Sequence, residues 1–125
     1  MSDRKTLPAD RIAPAALANT TRLHPDVVDE VEAAVAKNRV VVVGMAQNPV
    51  VRKARKLLDA KGTPFTYLEY GSYVSGWKKR LAIKLWAGFP TFPMVFVRGI
   101  LIGGASDLKR LADSGELQRM LATTA

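Results

Sequence analysis

The chain has no cysteine and a single histidine, His24. Without a thiol it can form no disulfide, no thiolate metal ligand, no cysteine nucleophile and no iron–sulfur cluster on its own residues. One histidine without cysteine also excludes the usual zinc site of nitrogen and sulfur ligands within one chain. Aromatic residues make up only 7%, which is poor material for a surface that stacks nucleic-acid bases. No apolar run approaches the roughly 18–20 residues of a membrane span; the longest covers 40–46. The N-terminus carries Asp3 and Asp10 and no continuous apolar stretch, so it does not read as a secretory signal. The expectation is a cytoplasmic protein.

What remains is one domain's worth of chain, 125 residues with 48% hydrophobic content, enough to bury a core without covalent staples. The net charge is +8 and it is uneven. Residues 1–38 hold five Lys/Arg against six Asp/Glu, and residues 39–125 hold fourteen against five. The excess of nine positive charges after residue 38 suggests an anionic or acidic partner, although clustered charge more often marks a solvated helix face.

Residues 1–22 mix Pro8, Pro14 and small residues without a period and read as an extended or mobile arm, with a folded domain over 23–125. Pro25 suits a first helical position, with Asp26, Asp29 and Glu30 at the positive end of the dipole. Val27, Val28, Val31, Ala34 and Val35 form its apolar stripe. The β-branched run 39–44 reads as a central strand covered on both faces. Pro49 opens a second helix with Val50, Val51, Ala54, Leu57 and Leu58 inward, ended by Gly62 and Pro64. Residues 65–70 form the next strand, and the strand–helix–strand unit is right-handed.

A third helix is predicted over 72–87, with Val74, Trp77, Leu81 and Leu85 inward and Lys78, Lys79, Arg80 and Lys84 as its basic side. Trp77, Trp86 and Phe89 are assigned to core and rim. After the breaker 88–93, residues 94–97 and 100–102 read as a hairpin turning on Arg98-Gly99. Ser106 is expected to cap a helix carrying Leu108 and Leu111, continued after Gly115. The sum is an α/β domain: a four-stranded mixed sheet of thioredoxin type, helices on both faces and an extra N-terminal helix.

Three landmarks in order carry a resemblance over 39–121. Asn48-Pro49-Val50-Val51 stands where glutaredoxins have Cys-Pro-x-Cys or Cys-Gly-Phe-Ser. Gly88-Phe89-Pro90-Thr91-Phe92-Pro93 resembles the segment before that family's cis-proline, in the form of its monothiol members. Gly103-Gly104-Ala105-Ser106-Asp107-Leu108 resembles the Gly-Gly-x-Asp segment that receives glutathione. The resemblance implies a groove in which Lys84 pairs with the glycyl carboxylate, with Arg80 one turn away sharing its face. Phe92 would present backbone groups there, beside Thr91 and Pro93, and Gly103, Gly104, Ser106 and Asp107 would form the far wall at a helix start, itself an anion site. The nucleophile's place is Asn48, the second motif position is Val51, and Met45 stands where many members have a lysine. Each survivor also has a plain structural reading: Lys84 as a solvated lysine, Ser106 and Asp107 as a cap, the glycines as a turn.

The sequence therefore points to a glutaredoxin-like protein without thiol redox chemistry, requiring no cofactor, with glutathione or an extended peptide as weak ligand and a binding or adaptor role. The alternatives are a glutathione-using transferase, in which Asn48 steadies glutathione's thiolate though no all-helical second domain is seen, and a basic module for an acidic protein or nucleic acid. Nucleic acid ranks low because no recognised motif accompanies the charge, and a membrane is not expected as partner. Cluster delivery would need a partner's cysteine.

Overall fold

The computed structural model describes residues 25–72 and 74–122; the 1–22 arm and His24 lie outside the described residues. The elements are α1 (Pro25–Lys37), β1 (Val40–Gly44), α2 (Pro49–Ala60), β2 (Thr66–Glu69), α3 (Trp77–Ala87), β3 (Met94–Val97), β4 (Ile100–Gly103), α4 (Ala105–Ser114) and α5 (Glu116–Ala122). The four strands form one sheet in the order β2-β1-β3-β4. β1 runs parallel to β2 and antiparallel to β3, and β3 pairs antiparallel with β4.

β1 explains the architecture. Its residues alternate between two cores because successive side chains leave opposite faces of a strand. Val40 and Val42 join Ala54 and Leu58 of α2 and Leu108 of α4 on one face. Val41 and Val43 join Val27 and Val31 of α1, Ile83 of α3 and Met94 on the other. All four valines are essentially inaccessible, each contributing on the order of 1.5–3 kcal/mol by leaving water. The extra helix α1 therefore covers a sheet face together with α3. Tyr70 ties it down by donating its hydroxyl to Glu30 Oε1.

Several expectations need correction around α3. The helix begins at Trp77, not at 72. Ser72 and Ser75 pair with each other instead, Ser72 N–H donating to the Ser75 carbonyl at 2.9 Å, and Gly76 adopts a left-handed φ of 74° before the first turn. The inward face is also different. Ile83, Ala82 and Arg80 are buried, whereas Val74 is 95% and Trp77 60% exposed, with Leu81 and Leu85 also open. Arg80 thus leaves the predicted basic side. On α2, Val50 is 46% exposed and faces away from the core. At α4 the cap residue is Gly104, and Ser106 sits exposed within the first turn.

Candidate functional site

Strand register brings the three landmarks to one end of the sheet. Val43 pairs with Met94, so the turn after β1 and the residues before β3 share that end. Val95 pairs with Gly103, which brings the glycine pair alongside. The Phe92–Pro93 peptide bond is cis and Pro93 is buried. A Cβ placed on Gly104 would sit 3.5 Å from the Pro93 carbonyl oxygen, so these two landmarks are in van der Waals reach.

Asn48 is the N-cap of α2. Its Oδ1 accepts from Val50 N–H at 2.9 Å and Val51 N–H at 3.0 Å. Two of the helix's orphan donors are thus satisfied by this side chain. Nδ2 keeps its two donors and makes no hydrogen bond among the described residues. Gln47 enters the turn with a φ of 61°, and Ala46 N–H donates to the Gly71 carbonyl at 2.8 Å. Met45 is buried and supplies no charge.

In the segment before β3, Thr91 is exposed and Phe92 half-buried. The backbone N–H and carbonyl of Phe92 make no hydrogen bond among the described residues. Lys84 Nζ lies 5.7 Å from the Phe92 ring centroid, so these two expected site residues are neighbours. Arg80 does not join them. It is 8% exposed, and its Nη1 donates to the carbonyls of Tyr70 at 3.1 Å and Ser75 at 2.7 Å. It braces the 70–76 loop, through which Gly71 holds the turn before Asn48.

Asp107 is also committed. Its Oδ2 accepts from Gly104 N–H at 3.0 Å and its Oδ1 from Arg110 Nη2 at 2.8 Å. The Gly104 bond first, and Arg110 second, hold its carboxyl below the usual range. Gly103 must be glycine: its φ is 121°, and a Cβ would meet Asp107 Oδ2 at 2.1 Å. The start of α4 is therefore a preassembled cap, with Ser106 as its exposed hydroxyl.

Two residues at this end escaped the sequence reading. The Tyr67 hydroxyl donates to Glu69 Oε1 at 3.0 Å, and burial, then Glu69, pushes its phenol up to about 12. Arg55 stacks over its ring at 3.9 Å. The alternation of 65–70 could have placed Tyr67 beside Gly44, but nothing in the sequence signals the Arg55 contact. The donor set here, an amide, a hydroxyl and backbone groups, has no thiolate and does not fit an iron–sulfur cluster. Among the described residues no three His, Asp or Glu gather as metal ligands.

A sheet of this order, flanked by helices and carrying a cis-proline before β3, defines a thioredoxin-like protein. No family model matches the chain. A "Glutaredoxin-like protein" of Dictyostelium discoideum is 55% identical over 94 residues, covering 75% of this chain and 76% of that one. Rice "Glutaredoxin-C6" is 32% identical over 87 residues, covering 70% and 78%. Among solved structures, a buckwheat glutaredoxin–glutathione complex superposes with a TM-score of 0.68 at 26% identity, covering 77% of this chain and 87% of that one. Wheat glutaredoxin gives 0.67 at 29% identity, covering 78% and 90%. The chain belongs to the glutaredoxin family.

Proposed function

We propose that this chain is a glutaredoxin-family binding domain that takes glutathione, or an extended peptide with an anionic end, in the groove beside Pro93 and performs no thiol exchange of its own. The observation that carries this reading is the open backbone of Phe92. Its N–H and carbonyl have no partner among the described residues, and a ligand backbone can add to them as an extra strand would. Lys84 supplies the charge at one end and the α4 N-terminus, with Ser106, the other. The glutathione held by the buckwheat relative supports the ligand class.

Affinity is set by what has been lost. Met45 brings no cation, and Asp107 spends its carboxylate on Gly104 and Arg110. The surviving charge-assisted contact and helix terminus contribute on the order of 1–2 kcal/mol each. A dissociation constant of roughly millimolar, about −4 kcal/mol, follows. Titration of labelled protein with reduced glutathione is expected to move the amides of Thr91, Phe92, Gly104 and Ser106. Shifts elsewhere, or none at millimolar ligand, refute the groove. Lys84→Ala is expected to weaken the shifts while leaving the fold intact.

The open Nδ2 of Asn48 favours a second reading, a glutathione-using transferase. An amide donor at a helix N-terminus can steady a thiolate on glutathione itself. Conjugation of glutathione to an aryl halide above the uncatalysed rate, and lost in Asn48→Ala, would favour it.

A further inference from the structure

Two helices on opposite faces of the sheet carry opposite charge. α1 holds Asp26, Asp29, Glu30 and Glu32 against Lys37, and α2 holds Arg52, Lys53, Arg55 and Lys56 against Asp59. One group of each set is engaged within the fold. Glu30 accepts from the Tyr70 hydroxyl, and the Arg55 guanidinium lies over the Tyr67 ring. Asp26, Asp29 and Glu32, and on α2 Arg52, Lys53 and Lys56, are exposed and make no side-chain ion pair or hydrogen bond among the described residues. Each trio is the outermost ridge of its helix. At about 100° per residue, the acids centre opposite Val27 and Val31, which enter one core, and the cations opposite Ala54 and Leu58, which enter the other.

Helix stability accounts for one ridge and not for the other. Asp26, in the first turn of α1, meets the positive end of its dipole. Arg52, in the first turn of α2, meets the same positive end and is disfavoured there. Arg52 and Lys56 are four apart and Lys53 and Lys56 three apart, so they repel across the helix surface, and no acid stands between them. α4, beside α2, gives no relief, because its Lys109 and Arg110 are paired with its own Asp113 and Asp107. An opposing row of carboxylates would relieve this ridge.

The chain itself supplies that row on α1. The residues beside the charges are small, Ala33 and Ala36 on α1 and Ala60 on α2, so the two ridges can meet at the usual helix separation of about 8–10 Å. In a parallel alignment Lys37, at the end of α1, also falls toward Asp59, in the last turn of α2. The lysines of α3, beside α1, leave its acids unpaired: Lys78 lies at the Trp77 ring and Lys84 at the Phe92 ring, and no α3 lysine forms an ion pair with α1. The net charge of +8 opposes association at long range, but physiological salt screens it beyond about 8 Å, which leaves the facing ridges to decide.

We infer that copies of this chain associate head to tail, the acidic ridge of α1 in one copy lying against the basic ridge of α2 in the next. The two ridges differ, so the contact is heterologous and leaves a free ridge at each end. Association therefore proceeds to short chains and does not stop at a dimer.

The test is sedimentation equilibrium of the full chain at concentrations up to about 1 mM, because exposed ion pairs are individually weak. The mean mass is expected to rise with concentration and to fall toward the monomer at high salt. Arg52→Glu/Lys56→Glu sets two acidic helices against each other, and Asp29→Lys/Glu32→Lys sets two basic ones. Each variant alone should associate at least tenfold more weakly. Mixed in equal amounts, the two should recover the native association, because the reversed α2 of one matches the reversed α1 of the other. Circular dichroism should be unchanged, since these side chains are exposed. Should a reversal disturb it, Lys53→Gln/Lys56→Gln and Asp29→Asn/Glu32→Gln remove the charges without reversing them and should each weaken association at least threefold. A monomer at every concentration overturns the inference, as does association undiminished in the variants or no recovery when folded reversal variants are mixed. Association that strengthens with salt, or is lost in Trp77→Ser, refutes the ridges and assigns the contact to exposed apolar side chains. Binding of polyglutamate by a chain that stays monomeric refutes the second copy and assigns α2 to a foreign acidic protein.

Discussion

Arg80 Nη1 bridges two backbone carbonyls, those of Tyr70 and Ser75, at 3.1 and 2.7 Å. A single buried nitrogen thereby closes the loop that precedes α3, and Gly71 in that loop accepts from Ala46 beside the candidate site. Removing the guanidinium leaves the Tyr70 carbonyl without this donor, at about 1–3 kcal/mol where water does not reach it, while the Ser75 carbonyl keeps the Ser72 N–H. Arg80→Ala is expected to lower stability by about 1–3 kcal/mol, read from the denaturant midpoint. Lys84→Ala, four residues on, should change it by less than about 0.5 kcal/mol. Equal losses for the two variants would contradict their assignment as brace and groove contact.

The contrast between these two residues also shows what the sequence can convey. Strand β1 was legible because four consecutive valines have no reading other than burial on both faces, and α1, α2 and the hairpin followed from Pro25, Pro49 and Arg98-Gly99. α3 was misread for a physical reason. Its Val74, Trp77, Leu81, Leu85 spacing is the pattern of a buried helical stripe, but the sheet packs instead on Ile83 and Ala82, with Arg80 made compatible with burial by carbonyls distant from it in the pattern. Gly76 was the available signal that the helix starts late. The order of the site landmarks was legible; the engagement of Asp107 with Gly104, and of Asn48 with its own helix, required coordinates.

Gly103 and Asp107 occupy the same space to within one methyl group. A Cβ at Gly103 would lie 2.1 Å from Oδ2, and the backbone there has a φ of 121°, a region essentially closed to other residues. Gly103→Ala should therefore cost about 1–3 kcal/mol and displace Asp107 from Gly104. Gly99→Ala is the control. It shares a positive φ, 83°, but its Cβ would meet nothing within 4 Å, so it should cost less. Thermal melts of the two variants decide the order.

Asp107 also sets a pH dependence. Its carboxyl is held low by the Gly104 N–H and then by Arg110, so the folded state favours the carboxylate more than the unfolded chain does. The stability it contributes is present above the unfolded value of about 3.9 and is lost as pH falls through the lower folded value. Melting temperature should decline below roughly pH 4, and Asp107→Asn should be less stable at pH 7 with a shallower acid decline. An acid decline unchanged in Asp107→Asn would show that other carboxylates control it.

The last prediction concerns Asn48, which the resemblance sets where glutaredoxins have their nucleophilic cysteine. The native chain should reduce no glutathione mixed disulfide above background, since exchange requires a thiolate on the protein and the chain has no cysteine. Asn48 Oδ1 at present occupies the donors of Val50 and Val51, and those same donors would face a sulfur at this position. Asn48→Cys is expected to cost about 1 kcal/mol through loss of the cap. It should yield a thiol titrating below the ordinary 8.5, because helix N-termini favour thiolates. The pH profile of alkylation by iodoacetamide reads this directly. A value at or above 8.5 would mean that the α2 terminus does not offer an electropositive site to a sulfur at this position. A depressed value without mixed-disulfide reduction would place the remaining defect in the groove, at Met45 and the committed Asp107, and not at the helix.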